Sequence, residues 1–189
     1  MIFEPTPIPG AFVVRPERRE DERGSFARVW CRHEFAAHGI EVDMVQGSVS
    51  RNRRAGTLRG MHFSRPPSQE GKLVRCERGR VHDVLIDLRT GSKARLAHFA
   101  IELDDRAGAA IYVPPGVAHG FQTLVDDSDV LYLMSDFYQP DLGEGVRYDD
   151  PAFGIRWPLP VTMIAVRDST YPDYPAGAAD SSTVAGFRA

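Results

Sequence analysis

Apolar and polar positions alternate in short runs through the middle of the chain, and glycine, proline and aspartate interrupt those runs at short intervals. This is the pattern of an all-β sandwich or barrel, because strand side chains alternate between faces and tight turns need residues of special backbone freedom. Strands are predicted over residues 79–88 (GRVHDVLIDL), 96–103 (LAHFAIEL), 110–113 (AIYV) and 129–137 (DVLYLMSDF). Helix is predicted only over residues 32–38, two turns at most, stopped by Gly39. There is no internal repeat, no strand-helix-strand rhythm and no glycine-rich phosphate loop, which disfavours nucleotide binding of the Rossmann or P-loop kind.

The 189 residues are 42% hydrophobic, enough for one substantial core, and a single domain over residues 1–174 is expected. From Pro175 the chain reads PAGAADSSTVAGFRA, small and polar with little to bury, and this segment is predicted to be a mobile tail. With 23 basic and 26 acidic side chains the net charge is -3, and the arginines form no continuous basic run, so nucleic acid is not an expected partner. Cys31 and Cys76 are the only cysteines and lack CxxC spacing, which suggests neither a disulfide framework nor a thiolate metal site. The opening MIFEPTP has no basic segment followed by an apolar one, and no later stretch approaches the roughly 20 apolar residues of a membrane span. A cytoplasmic protein without a membrane partner is therefore expected.

Three segments carry reactive side chains among glycines and prolines that are expected to fix them near turns. The first is Leu58-Arg59-Gly60-Met61-His62-Phe63, followed by Gly71-Lys72-Leu73-Val74-Arg75; the second is Tyr112 to Phe121 (YVPPGVAHGF); the third is Leu131-Tyr132 with Asp136-Phe137-Tyr138. Together with Asp21-Glu22-Arg23-Gly24-Ser25-Phe26, GRVHDVLIDLRTGS, Tyr148-Asp149-Asp150-Pro151, Ile155-Arg156-Trp157-Pro158 and Arg167-Asp168, these segments resemble the nucleotide-sugar 3,5-epimerases, the dTDP-4-dehydrorhamnose 3,5-epimerase family of the cupin superfamily. Ordered motifs spread over about residues 20 to 170 are far more specific than any one short pattern. The resemblance implies a cupin-like jelly-roll barrel with short peripheral helices, a homodimer, a nucleotide-sugar substrate, most naturally dTDP-linked, and no cofactor or metal.

The chemistry of the same residues agrees. A C4 ketone acidifies the protons on C3 and C5, so inversion needs a base of near-neutral pKa, a cation at the developing enolate oxygen and an acid on the opposite face. His62 fits the base and Asp168 its orienting carboxylate, Lys72 the cation, and Tyr132 the acid. The resemblance assigns substrate binding to Arg23, Phe26, Arg28, Gln46, Ser48, Arg59, His119, Tyr138, Glu144 and Arg167. Arginine suits diphosphate through its planar fork of donors, an aromatic ring such as Tyr138 can stack on a base, and His119 can meet a phosphate or sugar oxygen.

Three positions depart from the family pattern. Arg28 stands where a glutamate is usual, Gln46-Gly47-Ser48 replaces Gln-Asp-Asn, and His82 replaces a phenylalanine before Asp83, which predicts an altered base pocket and a more polar pocket floor. Taken singly the residues have plainer readings: His62 as a bonded structural histidine, Lys72 as a solvated strand lysine, Tyr132 as a buried ring, Asp168 as the cap of a turn before Ser169 and Thr170. Two other functions remain open at this stage. One is a metal-dependent cupin using His62, Glu70 and His119, although Ser64 occupies the place of that motif's second histidine. The other is a sugar-nucleotide-binding cupin without turnover, for which a proton donor opposite a base serves no purpose. Within the epimerases, inversion of one centre or ketone migration is the alternative to double inversion.

Overall fold

The computed structural model describes residues 1–175. Apart from Pro175 itself, the predicted tail lies outside the described residues. Two short pairs open the chain, β1 (Ile2–Pro5) with β2 (Phe12–Arg15) and β3 (Arg19–Asp21) with β4 (Gly24–Phe26), before helix α1 (Arg32–Ala36). Eight further strands follow: β5 (Gln46–Asn52), β6 (Leu58–Ser64), β7 (Lys72–Arg78), β8 (Arg80–Asp87), β9 (His98–Asp104), β10 (Ala110–Val113), β11 (Val117–Thr123) and β12 (Ser128–Met134). A single-turn 3-10 helix (Pro140–Leu142), a short β13 (Gly143–Gly145) and helix α2 (Val166–Ser169) complete the described elements. The strands form a six-stranded sheet in the order β1-β2-β10-β7-β12-β5 and a five-stranded sheet in the order β13-β6-β11-β8-β9, antiparallel throughout, which is the two-sheet jelly roll expected.

The four predicted strands are present as β8, β9, β10 and β12; β10 keeps the expected bounds and the other three have shifted ends. The expected strand from residue 96 begins only at His98, because Leu96 takes a positive φ of 64° in the preceding turn. The expected run to residue 137 stops at Met134, where Ser135 turns to donate its N–H to the Gly71 carbonyl. Helix α1 ends at Ala36, and Gly39 (φ 77°) closes it: the Ile40 N–H bonds the Phe35 carbonyl and the Gly39 N–H that of Ala36, a Schellman closure.

Burial on both faces explains the unbroken apolar run of β8. Val81 and Leu85 join Val74, Cys76, Ile111 and Phe121 between the sheets, while Val84, Ile86 and Leu88 face outward under Phe153 and Trp157. His82 shares that outward parity. Its ring meets Trp157 edge-on at 6.0 Å, so it belongs to the outer cluster and does not form the floor of a pocket. Between the sheets the inward positions change character along each strand. Cys76 and Val74 of β7 give way to Lys72, Val130 of β12 to Tyr132, and His119 sits between Val117 and Phe121 of β11.

Candidate active site

At this polar end the sheets open into a cleft of about 590 Å³ walled by His62, Lys72, His119, Tyr132, Arg167 and Asp168, with Arg59 and Ser50 further along. His62, Lys72, His119 and Tyr132 therefore sit within strands and not at the turns that the nearby glycines and prolines suggest, while Arg167 and Asp168 come from helix α2. Arg59 and His62 are three residues apart, which on a regular strand sends side chains to opposite faces. A break in register against β11 resolves this: His62 pairs with His119 but Arg59 with Phe121. The added residue of the bulge returns both side chains to the cleft side, while Met61 turns to the outer cluster. Gly60 makes the bulge possible, since its φ is 115° and a Cβ there would lie 2.5 Å from the Gly120 Cα.

His62 Nε2 lies 2.8 Å from Asp168 Oδ1, and Asp168 Oδ2 accepts the Gly60 N–H at 3.2 Å. Burial pushes the Asp168 carboxyl upward, but the His62 hydrogen bond and charge, the Gly60 N–H and Arg167 outweigh it and hold the carboxyl below its ordinary range. An ionised Asp168 fixes the imidazole with its Nε2–H toward the carboxylate, which leaves Nδ1 as the basic nitrogen. Arg167 Nη2 lies 3.2 Å from the same Nε2. A guanidinium only donates, so beside a donating Nε2 it acts as a neighbouring cation, with its Nε 3.5 Å from Asp168 Oδ1.

Across the cleft, Tyr132 stands half-buried on β12 and Lys72 opens β7, adjacent strands of the six-stranded sheet. Burial, and then the Asp83 charge, push the Tyr132 phenol well above its ordinary value, against a smaller opposing effect of Arg59, so the phenol stays protonated at neutral pH. Its ring meets His119 edge-on at 5.7 Å. His119 Nε2 in turn lies 2.8 Å from Asp83 Oδ2, both residues buried. Lys72 Nζ is 3.1 Å from Glu70 Oε1.

The remaining sequence-derived binding residues divide into three groups. Gln46 and Ser48 share β5 with Ser50 at a spacing of two and so face the same side, and the Gln46 side-chain oxygen accepts the Tyr138 N–H at 3.1 Å. Glu144 lies on β13 opposite Phe63, ion-paired with Arg65 at 3.2 Å and outside the cleft wall. Arg23 and Phe26 lie on the exposed β3-β4 hairpin, where Arg23 grips Asp21, and Arg28 pairs with Glu34; none of the three lines the cleft of this chain.

Sequence reasoning missed several contributors. Asp83 is legible only as a charge inside an apolar run, and Met163, Ile164 and Ala165 supply an apolar wall without reactive groups. Asn52 holds Arg59: its Oδ1 accepts the Arg59 Nε–H at 2.8 Å, while its amide donates to the Ser50 and Ser128 carbonyls. Glu70 pairs with Lys72 and does not join the two histidines. Among the described residues, no group of three or more histidine, cysteine or acidic side chains is arranged to hold a metal ion.

The fold is a two-sheet jelly roll, and its cleft brings a histidine-aspartate pair, a lysine and a tyrosine together. Residues 5–175 match the family model described as dTDP-4-dehydrorhamnose 3,5-epimerase. The Sinorhizobium fredii dTDP-4-dehydrorhamnose 3,5-epimerase is 38% identical over 173 residues, covering 91% of this chain and 89% of the relative. A dTDP-4-dehydrorhamnose 3-epimerase from Streptomyces niveus is 36% identical over 169 residues, 89% of this chain and 81% of the relative. The crystal structure of a 3,5-epimerase from Legionella pneumophila in complex with dTDP-4-keto-L-rhamnose superposes with a TM-score of 0.89 at 29% identity, covering 100% of this chain and 99% of that one. The chain belongs to the dTDP-4-dehydrorhamnose 3,5-epimerase family.

Proposed function

We propose that this chain inverts C3 and C5 of a dTDP-linked 4-keto-6-deoxyhexose, as a cytoplasmic enzyme of deoxysugar biosynthesis. The observation that carries the reading is the origin of the two proton-handling groups: His62 comes from the five-stranded sheet and Tyr132 from the six-stranded sheet, on opposite walls of one cleft. His62 Nδ1 takes the proton from the carbon next to the ketone, breaking the C–H bond and moving its electron pair to the C4 oxygen as an enolate. The Lys72 ammonium stabilises that charge, and Asp168 the imidazolium. The Tyr132 hydroxyl delivers a proton to the opposite face of the same carbon, and proton exchange with water resets both side chains.

Arg59 and Arg167 flank the cleft with donors suited to the diphosphate, and Gln46, Ser48 and Tyr138 continue its rim toward the nucleoside. Arg23, Phe26 and Arg28 reach a cleft in a homodimer in which each chain presents its β3-β4 hairpin to its partner. The exposed Phe26 at that hairpin and the exposed Val49 on edge strand β5 support this arrangement.

The test is incubation of dTDP-4-keto-6-deoxyglucose with the protein in deuterium oxide, followed by NMR. Label entering at both C3 and C5, and lost in His62→Ala, is the expected result. Label at C3 alone would instead make the activity that of the Streptomyces niveus relative. No label with the wild type would overturn the catalytic reading in favour of a binding protein.

A further inference from the structure

Lys72, the cation of the chemistry above, is paired with a carboxylate that has no part in it. Glu70 Oε1 lies 3.1 Å from the Lys72 ammonium and also accepts the Ser64 hydroxyl at 3.2 Å. The Glu70 side chain is only 11% exposed and does not line the cleft, whereas Lys72 does. A largely buried carboxylate is costly, and one beside the cation that must stabilise an enolate also draws on that cation's charge. Fixing the loop that carries it does not require the carboxylate. Ser68 Oγ donates to Asp136, Gly71 N–H donates to Ser135 Oγ, and Ser135 N–H donates to the Gly71 carbonyl, all without the Glu70 side chain.

What Glu70 does supply is position. A lysine ends in a compact ammonium on a flexible four-carbon stem, which wanders unless an acceptor holds it. Ser64 lies on β6 two residues after His62, on the same face of the strand, while Lys72 begins β7 in the opposite sheet. The contacts Ser64 to Glu70 to Lys72 therefore span the two sheets and tie the strand of the base to the strand of the cation. We infer that Glu70 is a positioning residue that, oriented by Ser64, sets the Lys72 ammonium at the enolate oxygen relative to His62. This rests on the epimerase reading, which it deepens with a residue that does not touch substrate.

Glu70→Ala, Glu70→Gln and Ser64→Ala test it, with kcat and KM for inversion measured beside thermal melting. Glu70→Ala is expected to lower kcat roughly tenfold with KM nearly unchanged, since a misplaced group loses transition-state contact before substrate binding. Glu70→Gln should recover most of that loss, because its amide oxygen still accepts from the ammonium, and Ser64→Ala should lose about twofold, as the hydroxyl that orients Glu70 is removed while the ion pair with Lys72 stays. If Glu70→Ala melts early, a cycle with Lys72→Met decides: Glu70→Gln should change deuterium entry no further once the ammonium is gone. Wild-type kcat in Glu70→Ala, no recovery in Glu70→Gln, a rise confined to KM, or additive losses in the cycle would each overturn the inference. Deuterium entry with the wild type is scored first, so that failure of the epimerase reading stays separate from failure of the Glu70 inference.

Discussion

His62 and His119 lie opposite each other on adjacent strands, and each meets a carboxylate through Nε2 at 2.8 Å. The His62 side chain is 33% exposed and that of His119 only 4%. Their carboxylates differ as well. Asp168 keeps the Gly60 N–H and the Arg167 guanidinium if the imidazole is lost, whereas among the described residues Asp83 Oδ1 has no hydrogen-bond partner and Oδ2 has only His119. One hydrogen-bond motif is thus built once as a base open to solvent and once as a nearly buried support beside Tyr132, although both histidines line the cleft. Exposure, and the reserves around each carboxylate, separate the two roles.

Exchanging the two histidines in turn should expose that division. His62→Ala is expected to slow inversion about a thousandfold while leaving the melting temperature nearly unchanged, since a positioned base contributes on that order and Asp168 keeps two partners. His119→Ala should instead destabilise the fold by about 3 kcal/mol in denaturant unfolding, because it leaves a buried carboxylate with nothing. A melting loss in His62→Ala as large as that in His119→Ala would erase the distinction. Smaller effects sharpen it further. Asn52→Ala frees Arg59, and calorimetry with dTDP should show roughly tenfold weaker binding at unchanged kcat, the size expected for a hydrogen bond to a charged group.

The smallest effect falls on a third histidine. Burial lowers the pKa of His82, against opposing effects of Asp83 and Glu102, and its buried Nε2 has no partner among the described residues. With the folded value below the unfolded one, the unfolded chain takes up the proton first, so this residue erodes stability as pH falls through about 6.5. His82→Phe should add about 1 kcal/mol, with the gain growing as pH falls through that value, as read from unfolding at pH 7.5 and 5.5.

What the sequence showed and hid follows the same physics. His62, Lys72, Tyr132 and Asp168 were legible because each lies in a motif with its own chemical rationale, and the structure gathers all four at one cleft. The facing of His82 was not legible, since β8 is buried on both sides and alternation alone does not say which side is the interior. The bulge at Gly60, which brings Arg59 and His62 to one face, hid behind a glycine that reads equally as a turn residue. The supports Asp83, Asn52 and Glu70 act on other side chains, and nothing in a local motif names those partners. Arg23, Phe26 and Arg28 were grouped with the cleft by resemblance, yet a single chain keeps them on and beside an exposed hairpin.

The most direct test of two walls serving two faces is Tyr132→Phe in deuterium oxide, with label entry and inversion followed in the same sample. Removing the acid while keeping the base should leave label entering with retained configuration and slow inversion at least about a hundredfold. Inversion at the wild-type rate, or label entry and inversion falling in equal proportion, would contradict a base on one sheet and an acid on the other.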